Sequence, residues 1–324
     1  MNRLHVVILG AGASLAAFPD GDKHGNKLPL MNNFVDTLNL RPILESSNLN
    51  YDGDNFEGIY SDLYNEGKHK NLLKTIENKI YEYFSELELP NCPTIYDYLL
   101  LSLRNKDLIA TFNWDPFLFK AYIRNHKMFD LPHIVFLHGN VSIGYCLKDK
   151  EKGADGHICS KCKEMYISSK LLYPIKSKNY NDDSFIAGEW DTLRRALKKA
   201  YILTIFGYSA PKSDVEAISL MKSAWGDNYK RNLEQIEIID IKEEGKLYLT
   251  WEGFIHSHHV DSYKDFYDSW IAKCPRRTCE TFWNEKMELK KVKDNNIPRN
   301  ANFHELWKWL EPLKEAEQNI IPVK

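Results

Sequence analysis

A chain of 324 residues has room for one large α/β domain with an insertion, or for two domains. Its 43% hydrophobic content supports a packed core, and a formal net charge of −2 lacks the basic excess that direct nucleic-acid binding requires. No apolar run approaches a membrane span, and Met1-Asn2-Arg3-Leu4-His5 leads into the first apolar run without a signal-peptide pattern. The expected location is therefore the cytoplasm, where the six cysteines serve as thiols or metal ligands rather than disulfides.

The first element in chain order is Val6-Val7-Ile8-Leu9, a β-branched run of the kind that forms a buried parallel strand. It passes at once into Gly10-Ala11-Gly12-Ala13-Ser14. Gly10 and Gly12 allow a tight turn free of Cβ atoms. The helix that follows would point its N-terminal amides at a pyrophosphate, and Ser14 can add a hydroxyl donor. Leu15 stands where a G-x-G-x-x-G fingerprint has its third glycine, so small residues that serve packing alone are the alternative. The polar stretch 18–29 is a loop, either a lid over a ligand or a surface connection.

Residues 30–105 read as a helical insertion. Leu72, Leu73, Ile76, Ile80, Tyr83 and Phe84 recur at helical spacing, and Pro90 and Pro93 end that pattern. A polar break covers 48–55. Thr94, with Asp97 three residues on, marks the start of a helix over 94–100.

Leu108-Ile109-Ala110 then leads into Thr111-Phe112-Asn113-Trp114-Asp115, with Pro116 able to open a helix. Ligand chemistry in open α/β sheets sits beyond the carboxyl ends of strands. In an extended segment Asn113 and Asp115 share a face; the alternative is that both cap the following helix. Ile134-Val135-Phe136-Leu137 ends in His138-Gly139, which makes His138 a candidate general base, although a lone histidine can equally be structural. His133 reads as structural or exposed.

Cys159-Ser160-Lys161-Cys162, with Cys146 upstream, is similar to part of a zinc ribbon. His157 and Asp149 are local options for a fourth ligand, and Cys92, Cys274 and Cys279 are remote ones. The alternative is a degenerate site that keeps its thiols without metal. After a basic, polar stretch from Lys176 to Tyr180, residues 187–200 form an amphipathic helix with Trp190, Leu193 and Leu197 on one face.

Tyr201 to Phe206 is another buried strand, ending in Gly207-Tyr208-Ser209. Gly207 and Ser209 suit a backbone that approaches a ligand, and Asp214 reads as a helix cap. Ile236-Glu237-Ile238-Ile239 ends in Asp240, either an acceptor for ribose hydroxyls or a turn residue. Helices are expected over 261–275 and 301–315.

Taken together, the Gly10–Ser14 turn, Thr111-Phe112-Asn113-Trp114-Asp115, His138-Gly139, Cys-x-x-Cys and Gly207-Tyr208-Ser209 resemble, in this order, the sirtuin-like superfamily. They most resemble the bacterial sirtuin-like proteins that hydrolyse NAD+ in antiphage defence. The motifs span residues 5–240. The resemblance implies an α/β fold: a Rossmann-like parallel sheet with helices on both faces, a helical insertion and a small Cys-containing module. It implies an NAD-binding catalytic domain over 1–280, with the insertion at about 30–105 and the Cys module at about 140–170, followed by a helical extension over 281–324. Carried over by position, Gly10, Ala11, Gly12 and Ser14 lie at the NAD phosphates. Asn113 and Asp115 lie beside the nicotinamide ribose, His138 is the catalytic histidine, and Gly207, Ser209 and Asp240 hold the adenosine half. Cys146, Cys159 and Cys162 would hold structural zinc.

Sirtuin deacylases carry Gly-Ile-Pro-Asp-Phe-Arg after the first glycine motif and a Phe-Gly-Glu segment after the zinc module. Here Phe18-Pro19-Asp20-Gly21 lacks the Phe-Arg, and no such segment follows Tyr173-Pro174-Ile175-Lys176. The implied activity is therefore hydrolysis of NAD+ to nicotinamide and ADP-ribose, as the toxic effector of an abortive-infection system. It would be gated by homo-oligomerisation or by a separate sensor protein, with no membrane or nucleic-acid partner. The alternatives are an NAD-dependent deacylase or ADP-ribosyltransferase, and a non-catalytic sensor of NAD or ADP-ribose.

Overall fold

The structure is a computed structural model that describes residues 3–47, 55–175, 180–211, 214–226, 231, 233–255 and 259–318. The polar break at 48–55, apart from Asn55, the basic stretch 176–179 and the last residues of the C-terminal extension lie outside the described residues.

The strands in chain order are β1 (Leu4–Leu9), β2 (Leu108–Thr111), β3 (His133–Phe136), β4 (Ile143–Tyr145), β5 (Lys152–Ala154), β6 (Ile167–Ser168), β7 (Ala200–Phe206), β8 (Gln235–Ile239) and β9 (Val260–Tyr263). Six of them form one parallel sheet in the order β3-β2-β1-β7-β8-β9. Counting only these strands, the order is 3-2-1-4-5-6, the doubly wound arrangement of dinucleotide-binding domains. Helices cover both faces, and the sheet's central strands are correspondingly apolar: every residue of β7 is buried, as is every residue of β1 after Leu4. The order of pairing reverses between β1 and β7, which places a crevice at the carboxyl ends of those strands.

Among the described residues six helices lie between β1 and β2: Ala11–Ala17, Phe34–Thr37, Arg41–Glu45, Phe56–Glu66, Lys70–Glu86 and Ile95–Ser102. Lys70–Glu86 buries Leu73, Ile76, Ile80 and Phe84 on one stripe. Ile95–Ser102 starts with a complete capping box, in which the backbone N–H of Thr94 donates to Asp97 at 2.7 Å. Asp97 is fully buried and also accepts from Arg124 and Asn125.

Three expectations need correction. The segment 261–275 is not one helix: it supplies the edge strand β9, a 3₁₀ turn at Phe266–Asp268 and a short helix at Trp270–Lys273. β9 is only partly buried and alternates no clear apolar face, so its residues carry no strand signature; pairing with β8 defines it. The helix expected over 187–200 runs Ser184–Leu197, because Asp183 caps it through the amides of Phe185 and Ile186 and β7 already begins at Ala200. The helix expected over 301–315 runs Phe303–Gln318.

A boundary at residue 280 falls inside the helix Thr278–Lys286. That helix is tied to the sheet by fully buried His5, whose ring nitrogens lie 2.8 Å from the hydroxyls of Thr278 and Thr204. Thr204 donates onward to Glu237 at 2.7 Å. Burial pushes the Glu237 carboxyl up to about 7 and the His5 imidazole down to about 3, so both sit neutral in the core near pH 6. Leu306 and Leu310 of the C-terminal helix are buried in the same core as the sheet.

β5, β4 and β6 form a separate three-stranded antiparallel sheet, which carries the cysteine module. Among the described residues no helix is long and apolar enough to cross a membrane.

Candidate active site

The two glycine turns at the switch point pack directly on each other. The amide of Gly10 donates to Phe206 O at 3.0 Å and that of Gly12 to Gly207 O at 2.9 Å. Gly207 has φ +60°, and a Cβ there would lie 2.2 Å from the Ala13 nitrogen. One at Gly12 would lie 2.8 Å from Gly207 Cα. The glycines are thus demanded by the close approach of two strand ends. The amides of Gly10 and Gly12 are engaged within the protein, which narrows the expected phosphate cradle. Ala11 and Ser209 are exposed at its rim.

The Ser14 hydroxyl is engaged within the protein. Ser14 is 2% exposed, and its Oγ donates to Asp115 Oδ2 at 2.7 Å. The same oxygen accepts from the Asn113 carboxamide nitrogen at 2.9 Å and lies 2.6 Å from the Tyr96 hydroxyl. Asn113 Nδ2 also reaches Gly10 O at 2.9 Å and Tyr96 at 3.2 Å, while its Oδ1 accepts nothing among the described residues. Asn113 and Asp115 therefore share a face, as their alternation requires. The capping alternative holds for one oxygen of Asp115, which accepts from the amide of Phe117 at 3.2 Å. Burial pushes the Asp115 carboxyl up to about 6, against the hydrogen bonds from Ser14 and Phe117.

His138 sits at the end of the neighbouring strand. Its ring meets Phe112 edge-on, with centroids 4.8 Å apart, and Phe112 stacks on Tyr208 at 4.2 Å. Nε2 lies 3.2 Å from the Tyr180 hydroxyl and 3.9 Å from Asp214 Oδ1. Tyr208 donates to the other oxygen of Asp214 at 2.9 Å. Burial raises the pKa of Tyr180 and Tyr208, so both hydroxyls stay neutral. The main chain here is pinned: Leu172 donates to His138 O at 2.9 Å, and Gly139, at φ +76°, leaves no room for a Cβ beside Lys170 O. Asn140 ties the two strand ends together by donating to Asp115 O at 2.6 Å.

Asp214 corrects its reading as a cap: its side chain makes no cap hydrogen bond and faces Tyr208 and His138 instead. Asp240 behaves as a turn residue, accepting from the amide of Lys242 at 3.0 Å. His133 is exposed. The loop 18–29 is anchored rather than loose, because buried Asp22 accepts from the amides of His24, Asn26 and Glu88. Nothing local in the sequence marks Tyr96, Tyr180 or Asn140 as part of this site. A separate cavity of about 810 Å³ follows the outer edge of β3 and is walled by Phe119, Tyr122, Phe136, Tyr145 and Phe185; neither Asn113 nor His138 lines it.

In the cysteine module, ligand atoms of Cys146, Asp149, Cys159 and Cys162 all lie within 4.8 Å of one another. Cys146 Sγ is 3.4 Å from Cys162 Sγ, and Cys159 Sγ is 3.3 Å from Asp149 Oδ2. Three thiols and a carboxylate at these spacings fit a tetrahedral metal ion. Asp149 is the fourth member of the cluster, and His157 is exposed and outside it.

No protein-family model and no curated protein matches the chain. Solved Sir2 structures do. A Sir2 complex with p53 peptide and NAD+ aligns at 14% identity over 88% of this chain and 93% of that one, with a TM-score of 0.36. A complex of a Sir2 homologue with NAD aligns at 12% identity over 86% of each chain, also at 0.36. A structure reported for the mechanism and regulation of Sir2 enzymes aligns at 16% identity over 74% of this chain and 81% of that one, at 0.38.

Proposed function

We propose that this chain hydrolyses NAD+ to nicotinamide and ADP-ribose, as a sirtuin-like enzyme. The observation that carries the reading is the placement of Asn113 and His138 at the ends of adjacent strands, joined through the Phe112 ring and next to the β1–β7 crevice. The motif order along the sequence supports it.

Nicotinamide departs as a neutral base, so C1′ of the ribose becomes oxocarbenium-like. The site then needs preorganised polar groups more than a strong nucleophile. Asn113, its nitrogen committed to Gly10 and Ser14, offers Oδ1 to a ribose hydroxyl or to the attacking water. As the C1′–N bond breaks, its electron pair leaves with nicotinamide and the water oxygen bonds to C1′. Neutral His138 takes the water's proton, and Asp214 stabilises the imidazolium that results. Asp115 acts through Ser14 on Asn113. Ala11, Gly12 and Ser209 approach the phosphates, and Gly10 and Gly207 shape the turn beneath them. Asp240, one oxygen of which holds the turn at Lys242, would offer its other oxygen to the adenosine ribose. Asn113 and His138 are 8% and 6% exposed, so each offers substrate only a small surface.

Cys146, Asp149, Cys159 and Cys162 would hold a structural zinc ion, which would supply a cross-link within the cysteine module. A freely active NAD+ hydrolase in the cytoplasm would poison its own cell. Gating by self-association or by a separate sensor protein therefore belongs to this reading, as does a role as an antiphage effector.

The experiment is incubation of purified protein with NAD+, with and without acetylated peptide, and chromatography of the products. The reading expects nicotinamide and ADP-ribose in equal amounts whether or not peptide is present. Release only with peptide would make the chain a deacylase, and binding without turnover would make it a sensor.

A further inference from the structure

We propose that Tyr96 is a positioning residue of this site: its hydroxyl locks Ser14, and Ser14 holds the Asn113 carboxamide with Oδ1 turned outward. The inference rests on the reading of Asn113 as the group that meets the ribose or the water.

The argument is an account of protons. Asn113 Nδ2 carries two, and Gly10 O and Ser14 Oγ, both at 2.9 Å, are placed to take them. Ser14 has one, which goes to Asp115. Two lone pairs remain on Ser14 Oγ; one accepts from Asn113, and the Tyr96 hydroxyl at 2.6 Å fills the other. With that partner in place Ser14 has a single orientation that satisfies every group. Without it, one lone pair is empty at a site where Ser14 is 2% exposed and solvent has little access. Ser14 can then turn, and the amide it orients turns with it.

Tyr96 is itself held from several sides. It is 1% exposed, its ring lies edge-on to Phe18 at 5.9 Å, and it occupies the first turn of the helix that the Thr94–Asp97 box begins. Asp97 accepts from Asn125 at 2.8 Å, and Asn125 in turn accepts from Trp307 of the C-terminal helix at 2.9 Å. A hydroxyl so enclosed does not touch substrate. Two of the groups it contacts, Ser14 and Asn113, are those that set the geometry of the reacting end.

Tyr96→Phe keeps the ring and deletes the contact. The expected result is a fall in kcat for NAD+ of about tenfold with KM changed less than about twofold. In a double-mutant cycle with Ser14→Ala, the second substitution should add little to the first, because both act on one chain of hydrogen bonds. Additive losses, or a kcat within about twofold of the parent, would overturn the proposal. A readout without turnover separates this from failure of the NAD+ reading. In asparagine-labelled protein the Asn113 carboxamide protons should exchange slowly with solvent in the parent and faster in Tyr96→Phe. Equal exchange overturns the proposal; altered exchange in a protein that never turns over NAD+ leaves the positioning role standing and removes the reaction. Thermal melting of each variant confirms that the fold is kept.

Discussion

The carboxamide nitrogen of Asn113 lies 2.9 Å from the hydroxyl of Ser14, 99 residues earlier in the chain. With the bonds from Asn113 to Gly10 O and from Ser14 to Asp115, this hydrogen bond joins the first glycine turn to the end of β2, and on the proposed reading it makes Ser14 a support of the Asn113 carboxamide rather than a phosphate donor. Ser14→Ala should therefore lower NAD+ turnover by about tenfold to a hundredfold, through kcat rather than KM. Steady-state kinetics decides it. A rise in KM alone would restore Ser14 to the phosphate.

Asp115 is buried, with a carboxyl pushed up to about 6 from 3.8. A pKa raised on folding means stability that is present below the unfolded value and lost as pH rises through the folded one. At pH 7.5 the parent protein carries a buried charge that costs on the order of 2–3 kcal/mol. Asp115→Asn removes that charge. The melting temperature of the variant minus that of the parent should be more positive at pH 7.5 than at pH 5. An unchanged difference would show that the carboxylate is better solvated than its surroundings imply.

Gly207 leaves no freedom to substitute. Its φ of +60° opposes a side chain, and so does the 2.2 Å that would separate an added methyl from the Ala13 nitrogen; the obstacle is backbone. Gly207→Ala should destabilise the fold by roughly 3 kcal/mol or more, through strain and displacement of the first turn. Thermal melting measures it, with Gly188→Ala as the control, since a Cβ there meets nothing within 4 Å.

The cysteine module should retain about one zinc ion per chain on purification, and Asp149→Ala or Cys146→Ser should lower that content and the melting temperature. Elemental analysis reads the metal directly. Zinc retention unaffected by Asp149→Ala but abolished by His157→Ala would transfer the fourth position to the histidine.

Much of this arrangement is legible in the order of the residues alone. The runs that form β1 and β7 are continuous and apolar because both faces of a central parallel strand are buried, and such runs announce themselves. Asn113, Asp115 and His138 stand out because each follows a strand and interrupts apolar residues. β9 is hidden because an edge strand exposed on one side needs no apolar run. Tyr96 and Asp214 are hidden for another reason: their partners lie far along the chain or across the fold, so a helix start and a helix cap are all their neighbours can suggest. Asp149 is one of two local candidates in the sequence, and only the hairpin's path separates it from His157.

The most direct test compares NAD+ consumption by the parent protein, Asn113→Ala and His138→Ala, at equal folded concentration and across a range of protein concentrations, so that gating by assembly appears as rising specific activity. The account predicts nicotinamide and ADP-ribose from the parent and at least about a hundredfold less from either variant. Parent-level consumption by both variants would contradict it.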